Sequence, residues 1–135
     1  MKGILADINV MAQFESLLHY CQSEQWREVW DGLRLTVHTF EELGLARDVA
    51  DDVLWHCCQQ RQIVLVTGNR NDDGPDSLEA TIRNHNTSDS LPVFTLADAQ
   101  RIQNDRTYAR QTAEALLDYL FRIQDLLGTG RLYLP

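Results

Sequence analysis

The stretch "QIVLVTGNRND", residues 62–72, joins the most strand-like run of the chain to a polar loop. Residues 62–66 are largely apolar and β-branched, which is typical of a strand buried on both faces of a sheet. The glycine and the polar residues that follow are common turn formers. We therefore expect a core strand whose carboxyl end leads into a loop over residues 68–73.

Strands and helices alternate on both sides of this run. Further strands are predicted at residues 3–8, 34–40, 91–96 and, as a short last strand, 131–135. Helical spacing of apolar residues predicts helices between them, with a long one over residues 107–127. The expected N-terminal caps of three helices are Ser23, Asp48 and Asp76. Alternating elements with apolar strands predict an α/β three-layer sandwich, in which helices flank a mainly parallel central sheet of about four or five strands.

Length and composition are those of one globular domain. The chain has 135 residues, of which 44 % are hydrophobic and 24 % charged, and we expect residues 1–135 to form a single domain. Its apolar runs are too short for a membrane span, and Asp7 falls too early for a signal peptide. We therefore expect a cytoplasmic protein without membrane contact.

Cysteines and histidines show no metal-site or catalytic spacing. Cys21, Cys57 and Cys58 form no CxxC pair, and Cys57 and Cys58 continue an apolar helical series, so we expect buried thiols. Packing or solvent roles are expected for the four histidines. These are His19, His38, His56 and His85.

The formal net charge of −8 disfavours broad electrostatic binding of nucleic acid, so any such binding must be local. Lys2 is the only lysine. Within the loop, Arg70 is the best candidate for contacting a phosphate, because guanidinium binds phosphate oxygens in a bidentate manner. Thr67 and Asn69, on either side of Gly68, are candidate substrate contacts beside it.

Polar side chains follow the carboxyl ends of two predicted strands. Asp7 and Asn9 end the first strand and, in extended backbone, point to one face. Asp51 and Asp52 begin the helix that precedes the strand at residues 62–66. The polar residues of the loop after that strand include Asn69, Asn71, Asp72 and Asp73. In parallel sheets the carboxyl ends of neighbouring strands share one edge, where ligands bind, so we expect these groups to meet.

Carboxylate and amide oxygens are the ligands that Mg²⁺ and Mn²⁺ prefer, and the natural chemistry of such a site is metal-assisted phosphodiester hydrolysis. The candidate catalytic acids are Asp7, Asp51, Asp52 and Asp72, and the candidate metal ligands are Asp7, Asn9, Asp52, Asn71 and Asp72. Each has a structural alternative. Acids in the first turn of a helix are favoured by the macrodipole, and asparagine and glycine are favoured in turns.

Three segments resemble the small prokaryotic PIN-like proteins of the PIN-domain ribonuclease superfamily. They are "ILADINV" (4–10), "DDVLWHC" (51–57) and "IVLVTGNRND" (63–72). The resemblance implies a parallel-sheet sandwich whose clustered acids bind Mg²⁺ or Mn²⁺ and cut RNA. It also implies a small partner protein, because such proteins are often toxins with an antitoxin. Homodimerisation is a further expectation.

Carried over residue by residue, the resemblance assigns the first acid to Asp7, with Asn9 beside it, and the helical acid to Asp51 or Asp52. The loop positions are Asn69 and Asn71. Both are aspartate in the family pattern, so two negative charges are missing here. Divalent-metal affinity should therefore fall unless Asp72 or Asp73 in the loop compensates. Asp98, after the fourth strand, is a candidate for a further member of the cluster.

Two other interpretations follow from the same residues. "DINV" and "VTGN" also look like the first two motifs of haloacid-dehalogenase-type phosphatases, but Asn9 replaces the second acid of that motif and Lys2 cannot supply the later lysine. The other alternative is a non-catalytic interaction or dimerisation module that keeps the PIN-like fold. The two loop asparagines and the charge of −8 favour that alternative.

Overall fold

In the computed structural model of this protein, the structure describes residues 1–69 and 74–135. Its elements alternate along the chain. They are β1 (Gly3–Ala6), a 3₁₀ turn (Ile8–Val10), α1 (Met11–Cys21), α2 (Arg27–Leu33), β2 (Thr36–His38), α3 (Asp51–Arg61), β3 (Ile63–Thr67), α4 (Leu78–His85), β4 (Val93–Leu96), α5 (Ala99–Asn104), α6 (Arg106–Phe121), α7 (Ile123–Leu126) and β5 (Arg131–Leu134). In this part of the chain, no helix is long and apolar enough to cross a membrane.

The five strands form one sheet in which every pairing is parallel, in the order β2-β1-β3-β4-β5. The predicted α/β sandwich with a parallel central sheet is therefore confirmed. From β1 the chain continues to β2, at one edge of the sheet. From β3 it continues through β4 to β5, at the opposite edge. In open α/β sheets such a reversal leaves a crevice at the carboxyl ends of the two strands, here the ends of β1 and β3.

Helices cover the sheet on both faces and bury side chains in two cores. The first core lies between the sheet and helices α1, α2, α5, α6 and α7, and centres on Phe94 and Leu116, both fully buried. The second lies between the sheet and helices α3 and α4, and includes Leu5, Leu65 and Trp55. Every residue of β1, β3 and β4 is buried. These strands are apolar without alternation because both of their faces contact helices.

Several boundaries differ from those predicted. The expected strand over residues 34–40 is reduced to three residues, and the long predicted helix is divided at Arg122 into α6 and α7. Helix α5 had no counterpart in the prediction. Asp98 caps it by accepting a hydrogen bond from the Arg101 N–H at 3.2 Å.

The three predicted helix caps were wrong. Helix α4 is capped by Ser77, whose hydroxyl accepts from the Ala80 N–H at 3.1 Å, so the cap lies one residue after Asp76. The Ser23 hydroxyl instead donates to the Tyr20 carbonyl at 2.7 Å, at the end of α1. Asp48 lies outside α3, which begins after Ala50 without a side-chain cap.

Two of the three cysteines are buried as predicted, and the third is not. Cys21 and Cys58 are almost inaccessible, whereas Cys57 is partly exposed, and all three are free thiols. Burial raises the pKa of both Cys21 and Cys58 to about 12, because the thiolate loses its hydration in the core.

This difference in burial predicts the reactivity of the thiols. At pH 8 a thiol with a pKa near 12 is ionised in only about one molecule in 10⁴, so Cys21 and Cys58 should react with a disulfide reagent only when the chain unfolds. We expect one rapid equivalent in the native protein, none in Cys57→Ser, and three in denatured wild type. Three rapid equivalents in the native protein would contradict this burial.

Gly3 is required by the contact between β1 and β2. A Cβ at residue 3 would lie 2.9 Å from the Thr36 carbonyl oxygen and would overlap the His38 ring. We expect Gly3→Ala to lower the free energy of unfolding by about 1–3 kcal/mol, since overpacked positions must shift backbone or rotamers. Urea denaturation measures this loss.

The matched control is Gly32→Ala in α2, where the added Cβ would meet nothing within 4 Å other than the neighbouring backbone of its own helix. Alanine favours a helix over glycine by up to about 1 kcal/mol, so this variant should be as stable as wild type or more stable. Equal losses in the two variants would show that the close approach at Gly3 does not determine stability.

Candidate functional site

Asp7 lies where β1 ends, next to the carboxyl end of β3. Its N–H donates to the Val66 carbonyl at 2.8 Å, which extends the parallel pairing one residue past the strand. Both carboxylate oxygens accept hydrogen bonds: Oδ1 from the Ile8 N–H at 2.8 Å and Oδ2 from the Thr67 hydroxyl at 2.9 Å. Strand pairing and side-chain contacts thus hold the Asp7 carboxylate in one orientation.

The Thr67 hydroxyl connects Asp7 to the following loop. This side chain is fully buried, and its oxygen also accepts from the Asn69 N–H at 3.0 Å. The Asn69 side-chain amide in turn donates to Asp51 Oδ2 at 3.0 Å. Three hydrogen bonds therefore run from Asp7 through Thr67 and Asn69 to Asp51. We call these four residues the acid network.

Helix α3 precedes β3 in the chain and begins at the carboxyl edge of the sheet. Its first turn therefore places Asp51 in the acid network. Asp52 is the next residue, and its Oδ1 accepts from the Val53 N–H of the same helix at 2.9 Å. This is the first-turn role that the helix macrodipole favours. Of the two helical acids, Asp51 is therefore the one with a contact to Asn69.

Two further predicted site residues are placed differently from the expectation. The prediction of extended backbone from Asp7 to Asn9 was wrong, because β1 ends at Ala6 and Asn9 lies exposed in the 3₁₀ turn. Asp98 is exposed and caps α5. Four other candidates fall outside the described residues. They are Arg70, Asn71, Asp72 and Asp73.

Arg131, at the start of β5, is a part of this site that the sequence analysis missed. Its Nη1 donates to the Asn69 carbonyl at 2.7 Å and to the Thr95 hydroxyl at 2.6 Å. Its Nε donates to Glu79 Oε2 at 2.9 Å, and the side chain is only 7 % exposed. Within residues 1–69 and 74–135, the buried Nη2 has no hydrogen-bond partner. A buried cation is therefore in direct contact with the backbone of Asn69.

The sequence signal for Arg131 is its position in a strand. A charged residue at the start of a strand in a covered sheet is expensive to bury unless it is paired. "RLYLP" thus indicates a partner, but not which one. The partners are separated from Arg131 by 62, 52 and 36 positions, and they are brought together only by the sheet order.

The acid network fits Mg²⁺ or Mn²⁺ in the type of its donors. Two carboxylates, an amide and a hydroxyl are hard oxygen ligands, and no histidine lies among them. It fits less well in charge. The part of the chain that the structure describes has no group of three or more histidine, cysteine, aspartate or glutamate side chains arranged to hold a metal ion, and Asn69 already donates to Asp51.

No family model, curated protein or solved structure matches the chain. A function for this chain therefore has to be inferred from the geometry of its own residues and from the resemblance of its motifs.

Asn69 is the residue at which the charge of the site is tested most directly. Asn69→Asp replaces an amide donor facing Asp51 by a second carboxylate, and a pair of carboxylates favours a cation between them. We expect affinity for Mn²⁺ to rise about tenfold, because divalent affinity increases with ligand charge. Without metal, the free energy of unfolding should fall by about 1–3 kcal/mol.

Calorimetric titration and urea denaturation measure the two effects. Asn84→Asp is the matched control, because it adds the same charge on an exposed position of α4. It should change neither quantity by a comparable amount. If both variants raise Mn²⁺ affinity equally, net charge rather than the acid network determines binding.

Proposed function

We propose that this chain is a PIN-like protein that hydrolyses phosphodiester bonds of RNA with Mg²⁺ or Mn²⁺. The observation that carries the proposal is the hydrogen-bonded connection of Asp7 to Asp51 through Thr67 and Asn69. It lies at the carboxyl ends of β1 and β3, where the sheet order reverses and where α/β proteins bind ligands.

In this proposal Asp7 and Asp51 are the principal metal ligands. Asp72 and Asn71, which lie outside the described residues, are the candidates for a further acidic and a further neutral ligand. A bound ion of this class activates water and neutralises the charge that develops on phosphorus. The contacts with Ile8 and Thr67 hold the Asp7 carboxylate in one orientation. Each of its oxygens keeps a further lone pair with which it could bind the ion.

Arg131 acts as a positioning residue in the same proposal. It fixes the backbone of Asn69 through the carbonyl oxygen and so fixes the amide that contacts Asp51. Its guanidinium also forms an ion pair with Glu79, at 2.9 Å from Nε to Oε2. Arg70 remains the candidate for contacting the substrate phosphate, together with Thr67 and Asn69.

The second candidate is a PIN-like interaction module without catalysis, and one observation favours it. The Asn69 amide donates a hydrogen bond to Asp51 where an aspartate would bring a second carboxylate. Among the described residues, Asp7 and Asp51 therefore each accept a hydrogen bond from a protein side chain. Under this alternative, as under a toxin-like function in the cytoplasm, the partner is a small protein or a second copy of the chain.

Asp7→Asn distinguishes the two candidates. It preserves the size of the side chain and removes the charge that a hard cation needs. If the proposal is right, wild type binds Mn²⁺ in a calorimetric titration and cleaves labelled RNA with Mn²⁺. Asp7→Asn should bind Mn²⁺ at least about tenfold more weakly and cleave about a hundredfold more slowly, since metal ligands dominate such reactions.

The control is Asp89→Asn, which removes the same charge from an exposed loop. It should bind and cleave as wild type does. No heat from Mn²⁺ in wild type would remove the metal-dependent proposal and favour the interaction module. Unchanged cleavage in Asp7→Asn would show that the cleavage does not come from this site.

A further inference from the structure

Two exposed histidines from different helices lie side by side on the α3–α4 surface. His56 belongs to α3 and His85 ends α4, and their ring centroids are 4.9 Å apart, with the ring planes at 71°. The His56 ring also makes a T-shaped contact with buried Trp55, at 5.0 Å between centroids. The pair is thus held at a short separation by two helices that pack on the same core.

This separation suits two imidazoles that share one metal ion. Zinc–nitrogen bonds are about 2.0–2.1 Å long, so two rings on a tetrahedral ion have centroids about 5 Å apart. The torsion that turns an imidazole about its Cβ–Cγ bond is broad, and exposed rings rotate about it at small cost. The present ring planes therefore do not prevent both rings from directing a nitrogen at a common point.

We propose that His56 and His85 together bind a divalent late transition-metal ion such as Ni²⁺, Cu²⁺ or Zn²⁺, with water molecules completing its coordination. Imidazole favours these borderline ions, whereas carboxylate and amide oxygens favour Mg²⁺ and Mn²⁺. The histidine pair is therefore chemically distinct from the acid network and does not depend on the function proposed for it.

A bound ion links α3 to α4 by a bridge additional to their packing. Both helices reach the carboxyl edge of the sheet with their first turns, which carry Asp51 and Glu79. An ion that binds only the folded chain raises its melting temperature by mass action. Thermal stabilisation by these ions is therefore a readout that requires no catalytic activity.

The test uses the full chain at pH 7.5 with chloride salts of Ni²⁺, Cu²⁺, Zn²⁺ and Mg²⁺. We expect the calorimetric affinity and the thermal stabilisation that depend on the histidine pair to follow the order Cu²⁺ above Ni²⁺ and Zn²⁺. The response to Mg²⁺, an ion that the acid network favours, should be the same in wild type, His56→Gln and His85→Gln. His56→Gln and His85→Gln should each weaken Ni²⁺ binding at least about tenfold. Each variant leaves the ion with one imidazole ligand, so the gain from binding two linked ligands at once is lost. Both side chains are exposed, so both variants should fold.

Two control variants exclude other ligands. His19→Gln removes an exposed histidine of α1, and Cys57→Ser removes the thiol next to His56. Both should bind Ni²⁺ as wild type does. Equal affinity in wild type, His56→Gln and His85→Gln would overturn the proposal, as would loss of binding in Cys57→Ser or no Ni²⁺ binding at all.

Asp7→Asn separates this proposal from the proposed hydrolysis. The variant should keep its Ni²⁺ affinity while its Mn²⁺ affinity falls. If Ni²⁺ binding is lost in Asp7→Asn and unaffected in His56→Gln, the ion binds at the acid network and the histidine pair is not a site.

Discussion

The hydroxyl of Thr67 is where the sheet and the acid network are joined. β3 lies between β1 and β4, and Thr67 is the last residue of that strand and is fully buried. A hydroxyl has one hydrogen to donate, and here it is donated to Asp7, so the contact with the Asn69 N–H uses a lone pair of the oxygen. The directions of these bonds are therefore determined, and Asp7 must be the acceptor.

This constraint explains why the residue at position 69 determines the character of the site. Its N–H is used by Thr67, its carbonyl by Arg131 and its side-chain amide by Asp51. An aspartate at this position would keep the first two contacts and lose the third. The buried charge of Arg131 would then face one more carboxylate, and the balance between protein donors and a metal ion would shift toward the ion.

The sequence predicted the layers and the position of the site because both depend on local signals. The apolar run before Thr67 identifies a central strand, and Asp7 after a second apolar run identifies an acid at the same edge. Arg131 was missed because its partners lie on β4, on α4 and after β3, and only the sheet order brings them together. The predicted cap of α4 was wrong for a different reason. Asp76 and Ser77 are adjacent and equally suitable as caps, and only the backbone conformation at Ser77 determines which one is used.

Helix α3 relates the two proposed metal sites to each other. Its first turn carries Asp51, and His56 follows five residues later on the same rigid element. If both proposals hold, an ion held by His56 and His85 would restrain α3 relative to α4, and so would reduce the conformational freedom that Asp51 loses on binding an ion. Coupling between two binding sites is reciprocal in free energy. Any gain in Mn²⁺ affinity caused by Ni²⁺ at the histidine pair must therefore equal the gain in Ni²⁺ affinity caused by Mn²⁺ at the acid network.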